Sequence, residues 1–396
     1  MAWVCLKGAN RNGFIDMKFR ISVLELSNAV QCISGAARDE DDNEFLGHVI
    51  FTAQADGTLS LLATDNERAA GTVITADVIR PGRGTASVPR ILGLLRLLDR
   101  NATVELVADG EFLTLFAPGS RRFRFRSLDP LFLDRDFPPP ADPALHCNPS
   151  ELLKAIDSTR FAVAPKSQKR IALTGLLFEL KDEEIKLTAT DSVRLAHTTL
   201  SADGHGGDLE ILLPPESIRV LRSWLKLCSK PVAISASAQT LHLACGPAWF
   251  HSQLISERYP DWRSLLTGEL DLVCSVGRAD LSSALSQVVI AAVSSEKKGP
   301  PRSSLGLGDS TLTLSACVVD DSAVVEIGAN NTTDPGPVGD FNPKLLRQAI
   351  DALDAKFVDL SRSGHYLVAR SPGEPTLHLL ASMRPEVGPE PDEDSQ

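Results

Sequence analysis

One stretch of sequence occurs three times and decides the fold: DGTLSLLATD at 56–65, EEIKLTATD at 183–191 and DSTLTLSAC at 309–317. Each copy begins with a turn and continues as a strand whose apolar residues alternate with polar ones, as in a strand with one buried face. Leu59, Ile185 and Leu312 occupy equivalent positions, so the copies lie 126 and 127 residues apart. Self-similarity at a constant spacing indicates internal repetition.

Other elements recur in the same order around these strands. A strand and an amphipathic helix open each repeat, at 17–36, 145–164 and 272–293. A second helix follows a proline-marked strand end, in SVPRILGLLRLLDR, LLPPESIRVLRSWLKL and DFNPKLLRQAIDALD, and a pair of strands comes after it.

These patterns predict an α+β chain of three repeated domains, each with two helices backed by antiparallel sheets. The predicted boundaries are 17–142, 143–267 and 268–385. We expect residues 1–16 to form a loose leader and the acidic, proline-containing residues 386–396 to be a disordered tail.

Composition limits the functions to consider. The formal net charge is −11, which argues against a nucleic-acid partner unless the basic residues are gathered on one surface. The seven cysteines are scattered without a CxxC pair, which is typical of a reducing cytosol. No apolar run approaches the roughly 20 residues that a membrane span needs, so no membrane partner is predicted.

The helices and the loops beside them carry much of the positive charge. Basic residues there could simply solvate outer helix faces. If they share one surface, they would bind a phosphate backbone weakly and without sequence preference. The candidate DNA-facing residues are Arg90, Arg96, Lys154, Lys166, Lys169, Arg170, Arg219, Arg222, Lys226, Lys297, Lys298, Lys344 and Arg347.

No pattern predicts catalysis, a metal or a cofactor. The eight histidines are dispersed, and none stands at metal-ligand spacing from a cysteine or carboxylate. The glycine-rich LGLGDS at 305–310 lacks the lysine of a phosphate loop. Asp65 and Asp191 recur as equivalent residues of separate repeats, which favours a shared structural role over a catalytic pair.

Four stretches carry a resemblance to a known family. MKFRISVLELSNAVQCISG at 17–35, TGLLFE at 174–179, ATDSVRLA at 189–196 and RYPDWRSLL at 258–266, in this order, resemble the bacterial DNA sliding clamp, the β subunit of DNA polymerase III. The likeness runs from Met17 to about Pro385.

The resemblance implies a non-catalytic processivity factor. It implies a head-to-tail homodimer that encircles duplex DNA and slides along it in the cytoplasm, at the nucleoid. The implied protein partners are the DNA polymerase III α subunit, the clamp loader and other proteins with a clamp-binding motif.

Two sets of site residues follow from the resemblance, position by position. One is a pocket for partner peptides, formed by Leu173, Thr190, Arg194, Leu195, Pro260, Leu265, Leu379, Leu380, Met383 and Arg384. The other is the dimer interface, formed by Phe123 and Phe125 against Ala292 and Val293 of a second copy.

The chain departs from the family pattern in three places. Ser192 and Val193 replace a usual Gly-His pair in the pocket, so the preferred peptide motif is expected to differ. The loop ARDEDDNE at 37–44 has Glu40 near a usual DNA-contacting basic residue, with Arg38 as the candidate replacement. We also expect the tail beyond Pro385 to fold near the pocket and tune partner access.

Two other functions compete with that of a replicative clamp. A divergent paralogue acting as a peptide-binding scaffold would fit the acidic first loop and the small residues Ala292 and Val293. An enzyme, such as a nuclease, has no supporting site in the sequence.

Overall fold

The computed structural model describes residues 16–38, 44–130, 137, 145–205, 207–266, 268–292, 299–318 and 321–384. The chain divides into two compact units. Unit 1 comprises residues 1–153, 179–184 and 201–256, and unit 2 comprises residues 154–178, 185–200 and 257–396. The predicted leader and acidic tail lie outside the described residues, apart from Asp16.

Every predicted helix is present. The helices are α1 (Val23–Ile33), α2 (Val88–Leu95), α3 (Pro149–Thr159), α4 (Pro215–Leu225), α5 (Arg278–Ala292) and α6 (Pro343–Asp351). Short 3₁₀ turns cover Ser34–Ala36, Glu44–Gly47, Arg160–Ala162, Ile171–Thr174 and Arg263–Leu266.

Polar caps and prolines explain where the helices begin. At the start of α1, the Ser22 hydroxyl oxygen accepts from the Glu25 amide at 3.2 Å and donates to the Glu25 carboxylate at 2.8 Å. The Asn342 side chain accepts from the Lys344 amide at 3.0 Å and so caps α6. Prolines occupy the first turns of α2, α4 and α6, where their missing N–H has no intrahelical partner to lose.

The strands follow the predicted alternation. The first third of the chain has β1 (Met17–Ser22), β2 (His48–Ala53), β3 (Thr58–Thr64), β4 (Arg68–Thr75), β5 (Asp77–Arg80), β6 (Gly82–Ser87), β7 (Thr103–Asp109), β8 (Phe112–Ala117) and β9 (Arg121–Arg126). The middle third has β10 (Leu145–Cys147), β11 (Leu176–Lys181), β12 (Glu184–Thr190), β13 (Arg194–Ser201), β14 (Asp203–Gly204), β15 (Leu209–Leu213), β16 (Val232–Ala236), β17 (Thr240–Cys245) and β18 (Ala248–Gln253). The last third has β19 (Asp271–Gly277), β20 (Ser303–Leu307), β21 (Thr311–Val318), β22 (Asp321–Asn331), β23 (Gly336–Phe341), β24 (Phe357–Ser363), β25 (Tyr366–Arg370) and β26 (Leu377–Ala381).

Antiparallel sheets organise both units. Unit 1 contains a sheet of order β5-β1-β7-β8-β9 and a second of order β14-β10-β16-β17-β18-β4-β3-β2-β6. In unit 2 the order is β12-β13-β26-β25-β24-β19-β22-β21-β20-β23. The three copies of the repeated stretch are β3, β12 and β21, so the predicted α+β fold class is confirmed.

Two strand pairings join consecutive repeats, and both use the same register. In unit 1, β4 pairs with β18 and Arg68 lies opposite Ser252; we call this the first junction. In unit 2, β13 pairs with β26 and Arg194 lies opposite Leu380; we call this the second junction. Each arginine follows the aspartate of its ATD motif by three residues, so the two junctions are equivalent.

The junctions also explain why the two units differ from the three predicted domains. Because β18 pairs with β4 and β13 pairs with β26, the middle repeat shares one sheet with the first repeat and another with the third. The division at 142 and 267 stays a prediction.

Each unit has its own apolar core. In unit 1, Phe19 packs on Phe51 with ring centres 6.2 Å apart, and Trp224 packs on Phe250 at 6.3 Å. In unit 2, the buried faces of α5 and α6 contribute to one cluster with the surrounding strands. Among the helices described, none is long and apolar enough to cross a membrane.

Candidate functional site

Unit 2 contains a cavity of about 230 Å³ beside the second junction. Its walls are mostly apolar, with a few polar groups, which is the usual make-up of a ligand pocket. The lining residues are Arg170, Leu173, Thr190, Ser192, Val193, Arg194, Leu195, Pro260, Asp261, Trp262, Leu265, Tyr366 and Leu379.

Four local elements bring these residues together. The 3₁₀ turn Ile171–Thr174 supplies Leu173, and the segment before the turn Arg263–Leu266 supplies Pro260. The connection from β12 to β13 supplies the polar side of the cavity, and β26 supplies Leu379.

The β12–β13 turn is fixed by its own side chains. The Asp191 carboxylate accepts from the amides of Val193 and Arg194, both at 3.0 Å. The Thr190 hydroxyl donates to the Arg194 carbonyl at 2.6 Å and accepts from the Ser192 amide at 3.2 Å. Ser192 therefore takes a φ of 79°, a left-handed conformation in which a residue with a Cβ is strained.

Arg194 is the most constrained side chain of the cavity. Its Nε donates to the Asp191 carboxylate at 2.9 Å, and its Nη1 donates to the Gln348 side-chain oxygen. The guanidinium also lies over the Phe161 ring, 5.2 Å from its centre. Only 11% of the side chain is exposed, because these contacts hold it against the protein.

Aromatic and histidine rings back the opposite wall. The Trp262 ring packs on His197 with centres 4.5 Å apart, and His197 Nδ1 shares a hydrogen bond of 2.9 Å with the Thr188 hydroxyl. Burial, reinforced by Lys186 and Arg263, lowers the pKa of His197 to about 4. The ring is therefore neutral near pH 7.

His378 on β26 lies below the cavity and is fully buried. Its Nδ1 is 2.7 Å from the Ala349 carbonyl in α6, and its Nε2 is 2.7 Å from the Ser158 carbonyl in α3. Burial lowers its pKa to about 4, although both carbonyls act to raise it. This one ring connects β26, which carries Leu379, to the last turns of two helices.

The predicted pocket residues fall into two groups. Leu173, Thr190, Arg194, Leu195, Pro260, Leu265 and Leu379 all line the cavity. The other three do not: Leu380 is 2% exposed within the core, the Met383 amide donates to the Asp340 carbonyl at 2.8 Å, and the Arg384 carbonyl accepts from Arg302. The peptide-binding role of the whole set stays a prediction.

Several lining residues were not among the predicted pocket residues. Trp262 and Asp261 belong to the RYPDW motif, so their position next to Pro260 in the sequence is a signal that could have predicted them as lining residues. Tyr366 reaches the cavity because β25 pairs with β26, which places Tyr366 opposite Ala381. Arg170 is one of the predicted DNA-facing residues, and the structure places it in the lining of the cavity.

The other candidate DNA-facing residues concentrate on the second helix of each repeat. Arg90 lies on α2, Arg219 and Arg222 lie on α4, and Lys344 and Arg347 lie on α6. Lys226 follows α4 directly. Lys297 and Lys298 lie outside the described residues, as does Glu40.

Some of these basic groups are already in contact with other side chains. The Lys154 ammonium lies 3.2 Å from the Asp354 carboxylate, and Arg347 Nε lies 3.4 Å from the Asp351 carboxylate. Arg96 Nη2 donates to the Gln31 side chain at 2.8 Å. All are surface contacts, which cost little to exchange for a phosphate.

The predicted dimer-interface residues occupy different environments. Phe123 and Phe125 are half-buried on β9, the edge strand of its sheet. Ala292 is 4% exposed and packs in the core of unit 2, which explains its small size and leaves little of its side chain for a partner. Val293 lies outside the described residues. The interface role of these positions stays a prediction.

No metal centre is evident in the part of the chain that the structure describes. There, no three histidine, cysteine or carboxylate side chains come close enough together to hold an ion.

Comparison with known proteins agrees with this fold. Residues 146–261 match the family model of the DNA polymerase III beta subunit, central domain. The chain is 27% identical over 359 residues to the Beta sliding clamp of Chlamydia muridarum, covering 88% of this chain and 94% of that one. It is 26% identical over 286 residues to that of Escherichia coli K12, covering 71% of this chain and 76% of that one.

Solved structures show the same architecture. The sliding clamp of Pseudomonas aeruginosa bound to griselimycin superposes with a TM-score of 0.85 at 20% identity, over 94% of this chain and 100% of that one. The clamp of Bacillus subtilis gives 0.83 at 21% identity, over 94% and 100%.

The chain thus has the DNA clamp fold. More specifically, its sequence is similar to that of the bacterial sliding clamp, the DNA polymerase III β subunit, and the resemblance seen in its motifs is confirmed.

Proposed function

We propose that the protein is a DNA polymerase processivity factor. Two copies join head to tail into a ring that encircles duplex DNA, slides along it in the cytoplasm at the nucleoid, and catalyses no reaction. The cavity of unit 2 binds peptides of the DNA polymerase III α subunit, the clamp loader and repair proteins. Because a closed ring stays on DNA by topology, weak phosphate contacts suffice, and a net charge of −11 is compatible with a DNA partner.

The observation that carries the proposal is a third, incomplete junction. The two complete junctions each pair the last strand of one repeat with a strand of the neighbouring repeat. The pairs β8–β9, β17–β18 and β25–β26 form equivalent hairpins. In these hairpins, Phe125 on β9 occupies the same place as Ser252 on β18 and Leu380 on β26. β9 has only β8 as a neighbour among the described strands, so it is a junction strand without a partner.

The matching open edge is on β22. By the same hairpin comparison, Asp321 on β22 is equivalent to Arg68 on β4, since Leu312 pairs with Ile327 as Leu59 pairs with Ile74. β22 pairs with β19 only through 329–331, which leaves the outer edge of 321–328 open within the described chain.

The two open edges are complementary in register and charge. When the register of the two complete junctions is applied to these edges, Phe125 lies opposite Asp321 and Phe123 lies opposite Ala323 of a second copy. β9 reads RRFRFR, while β22 carries Asp321 and Glu326. Val324, 71% exposed in the single chain, would be covered on pairing. A chain that carries one open edge of each kind forms a closed ring most simply with one second copy, related to it by two-fold symmetry.

Cross-linking tests this register. In a Cys317→Ser background, we expect Arg124→Cys with Ser322→Cys to give a covalent dimer with a short bis-maleimide. Arg124→Cys with Glu326→Cys, four residues out of register, is the control and should cross-link much less. Equal cross-linking of both pairs, or none of either, would contradict the proposed seam.

Sedimentation tests the same seam without cross-linking. Phe123→Glu puts a charge where the equivalent Phe250 is fully buried, so the variant should sediment as a monomer while the parent sediments as a dimer. Val73→Glu is the matched control, an exposed strand residue of the same unit away from the open edge, and it should remain a dimer.

A further inference from the structure

The sheet β5-β1-β7-β8-β9 of unit 1 has one apolar face and one basic face. Side chains alternate along each strand, so the register of the strand pairs assigns each residue to a face. The apolar face is buried, and a Cβ on Gly84 of β6 would lie 2.7 Å from its Ala108 side chain. We call the opposite face the basic face. Its charged residues are the basic Lys18, Arg20, Arg80, Arg122, Arg124 and Arg126 and the acidic Asp77, Glu105 and Asp109.

The basic face has an excess of positive charge, although the chain has a formal net charge of −11. Glu105 lies 2.8 Å from both Lys18 and Arg20 and offsets part of their charge, and Asp16 lies 3.3 Å from Arg80. The remaining positive charge is concentrated on β9. None of these basic residues is among the candidate DNA-facing residues, so this face is a separate concentration of positive charge.

Two arginines of β9 lie over phenylalanine rings of β8. The guanidinium carbon of Arg124 is 3.5 Å from the centre of the Phe112 ring, and that of Arg122 is 5.7 Å from the centre of the Phe116 ring. Neither arginine has a carboxylate partner among the described residues. A guanidinium that lies over a ring keeps N–H groups at its edge, where phosphate oxygens can accept hydrogen bonds. Phe116 is itself 37% exposed.

The spacing and composition of the basic face fit a nucleic-acid strand whose bases are unpaired. Arg122, Arg124 and Arg126 recur at every second residue of β9, about 7 Å apart, which is close to the separation of neighbouring phosphates in an extended strand. Rings and guanidinium planes are flat surfaces on which unpaired bases stack whatever their identity. A duplex keeps its bases inside and would use the charges alone, and an acidic peptide has no bases to stack.

We propose that the basic face binds single-stranded nucleic acid. The arginines of β9 contact the phosphates, and bases stack on the Phe112 and Phe116 rings and on the guanidiniums that lie over them. The site is distinct from the helices proposed to face duplex DNA and from the cavity of unit 2. Pairing of β9 with a second copy uses the backbone groups of its edge and leaves this face uncovered. A ring on duplex DNA would therefore have an additional site for an unpaired strand.

Fluorescence anisotropy with a short labelled oligothymidylate tests the charges on the full chain. Arg122→Ala combined with Arg124→Ala should weaken binding about tenfold at low salt. It should also reduce the slope of log K against log salt concentration by about 0.7 for each lost phosphate contact. Lys181→Ala is the matched control, an exposed cation at the end of β11 in the same unit, and should bind within about twofold of the parent protein.

A second double variant tests base stacking. Phe112→Leu combined with Phe116→Leu keeps every arginine, so the salt slope should stay unchanged while the affinity for oligothymidylate falls at least about fivefold. These residues lie on β8, away from the open edge of the sheet. An oligonucleotide that contains 5-iododeoxyuridine should cross-link, on irradiation, to a peptide of β8 or β9 identified by mass spectrometry.

Unchanged binding in both double variants, or cross-links confined to the six helices, would overturn the proposal. Competition by polyglutamate as strong as that by oligothymidylate of equal charge would show that the face binds any polyanion, and would overturn the choice of nucleic acid. The phenylalanine variant should still sediment as a dimer and remain on nicked circles. Failure of this inference is therefore distinguishable from failure of the proposed ring.

Discussion

The first and second junctions share a backbone register but differ in the side chains at equivalent positions. At the first junction, Trp249 fills the space beside β4, and a Cβ on Gly71 would lie 2.4 Å from its indole. Phe137 packs on Trp249 and on His251, with ring centres 6.1 and 5.2 Å apart. This junction is closed by aromatic packing.

At the second junction, the residues equivalent to Trp249 and His251 are Leu377 and Leu379. There Leu379 lines the cavity of about 230 Å³, and Gln348 reaches the arginine at its edge. One strand pairing can therefore be packed with aromatic rings or lie beside a cavity. The choice depends on a few side chains, while the backbone stays the same.

The largest expected effect is at the closed junction. Gly71→Ala should lower the free energy of unfolding by about 2 kcal/mol or more, because the new methyl group overlaps an indole packed between strands. Denaturant titration measures it. Gly93→Ala, a glycine in α2 with open space around its Cβ, should be neutral or slightly stabilising. A Gly71→Ala protein as stable as its parent would mean that Trp249 does not close this junction.

The next effect concerns His378, which occupies the position of Phe250 at the first junction. At pH 7 the neutral ring donates its single N–H to one of the Ser158 and Ala349 carbonyls. His378→Phe leaves that carbonyl without a donor, which should cost about 2 kcal/mol. Because burial lowers the folded-state pKa of His378 from 6.5 to about 4, its contribution to stability is fully present above pH 6.5 and is lost as pH falls toward 4.

Thermal unfolding of the parent protein and His378→Phe at several pH values checks that sign. The difference in the free energy of unfolding between the parent protein and His378→Phe should shrink as the pH falls from 6.5 to 4. A difference that grows on acidification would show that the ring gains a proton to satisfy both carbonyls, and that its pKa is raised by folding.

The smallest expected effect is in the turns that carry the junction aspartates. Ser192 has a φ of 79° and Asn66, its equivalent, has a φ of 74°. Asparagine tolerates this conformation better than serine, so Ser192→Gly should raise the free energy of unfolding by up to about 1 kcal/mol, and Asn66→Gly should change it less. If Ser192→Gly and Asn66→Gly change the free energy of unfolding equally in a denaturant titration, the inference of strain at Ser192 is contradicted.

Much of the fold follows from the sequence because the repeated strands share one clear pattern. The period-2 alternation around Leu59, Ile185 and Leu312 predicts three equivalent strands, and the prolines before the second helices mark where they begin. The residues that line the cavity are harder to predict from the sequence. The seven predicted pocket residues that line it follow from the family resemblance, since nothing in the spacing of Leu173 and Leu379 brings them together.

Long-range contacts account for what the sequence does not predict. Gln348 is an ordinary polar residue on an amphipathic helix until β13 brings Arg194 to it. Ala292 looks like a weak interface residue in the sequence, yet it is buried in the core of its own unit. Both depend on the pairing of distant strands, which local patterns do not determine.

Retention on DNA is the most direct test of the central claim. The protein would be loaded onto nicked circular DNA with its clamp loader and ATP, washed at raised salt, and the DNA then linearised. A ring that encircles DNA should remain on the circles through the wash and run off the linear form. Failure to remain on circles, in a preparation that still binds peptide, would contradict encirclement and leave a peptide-binding scaffold as the function.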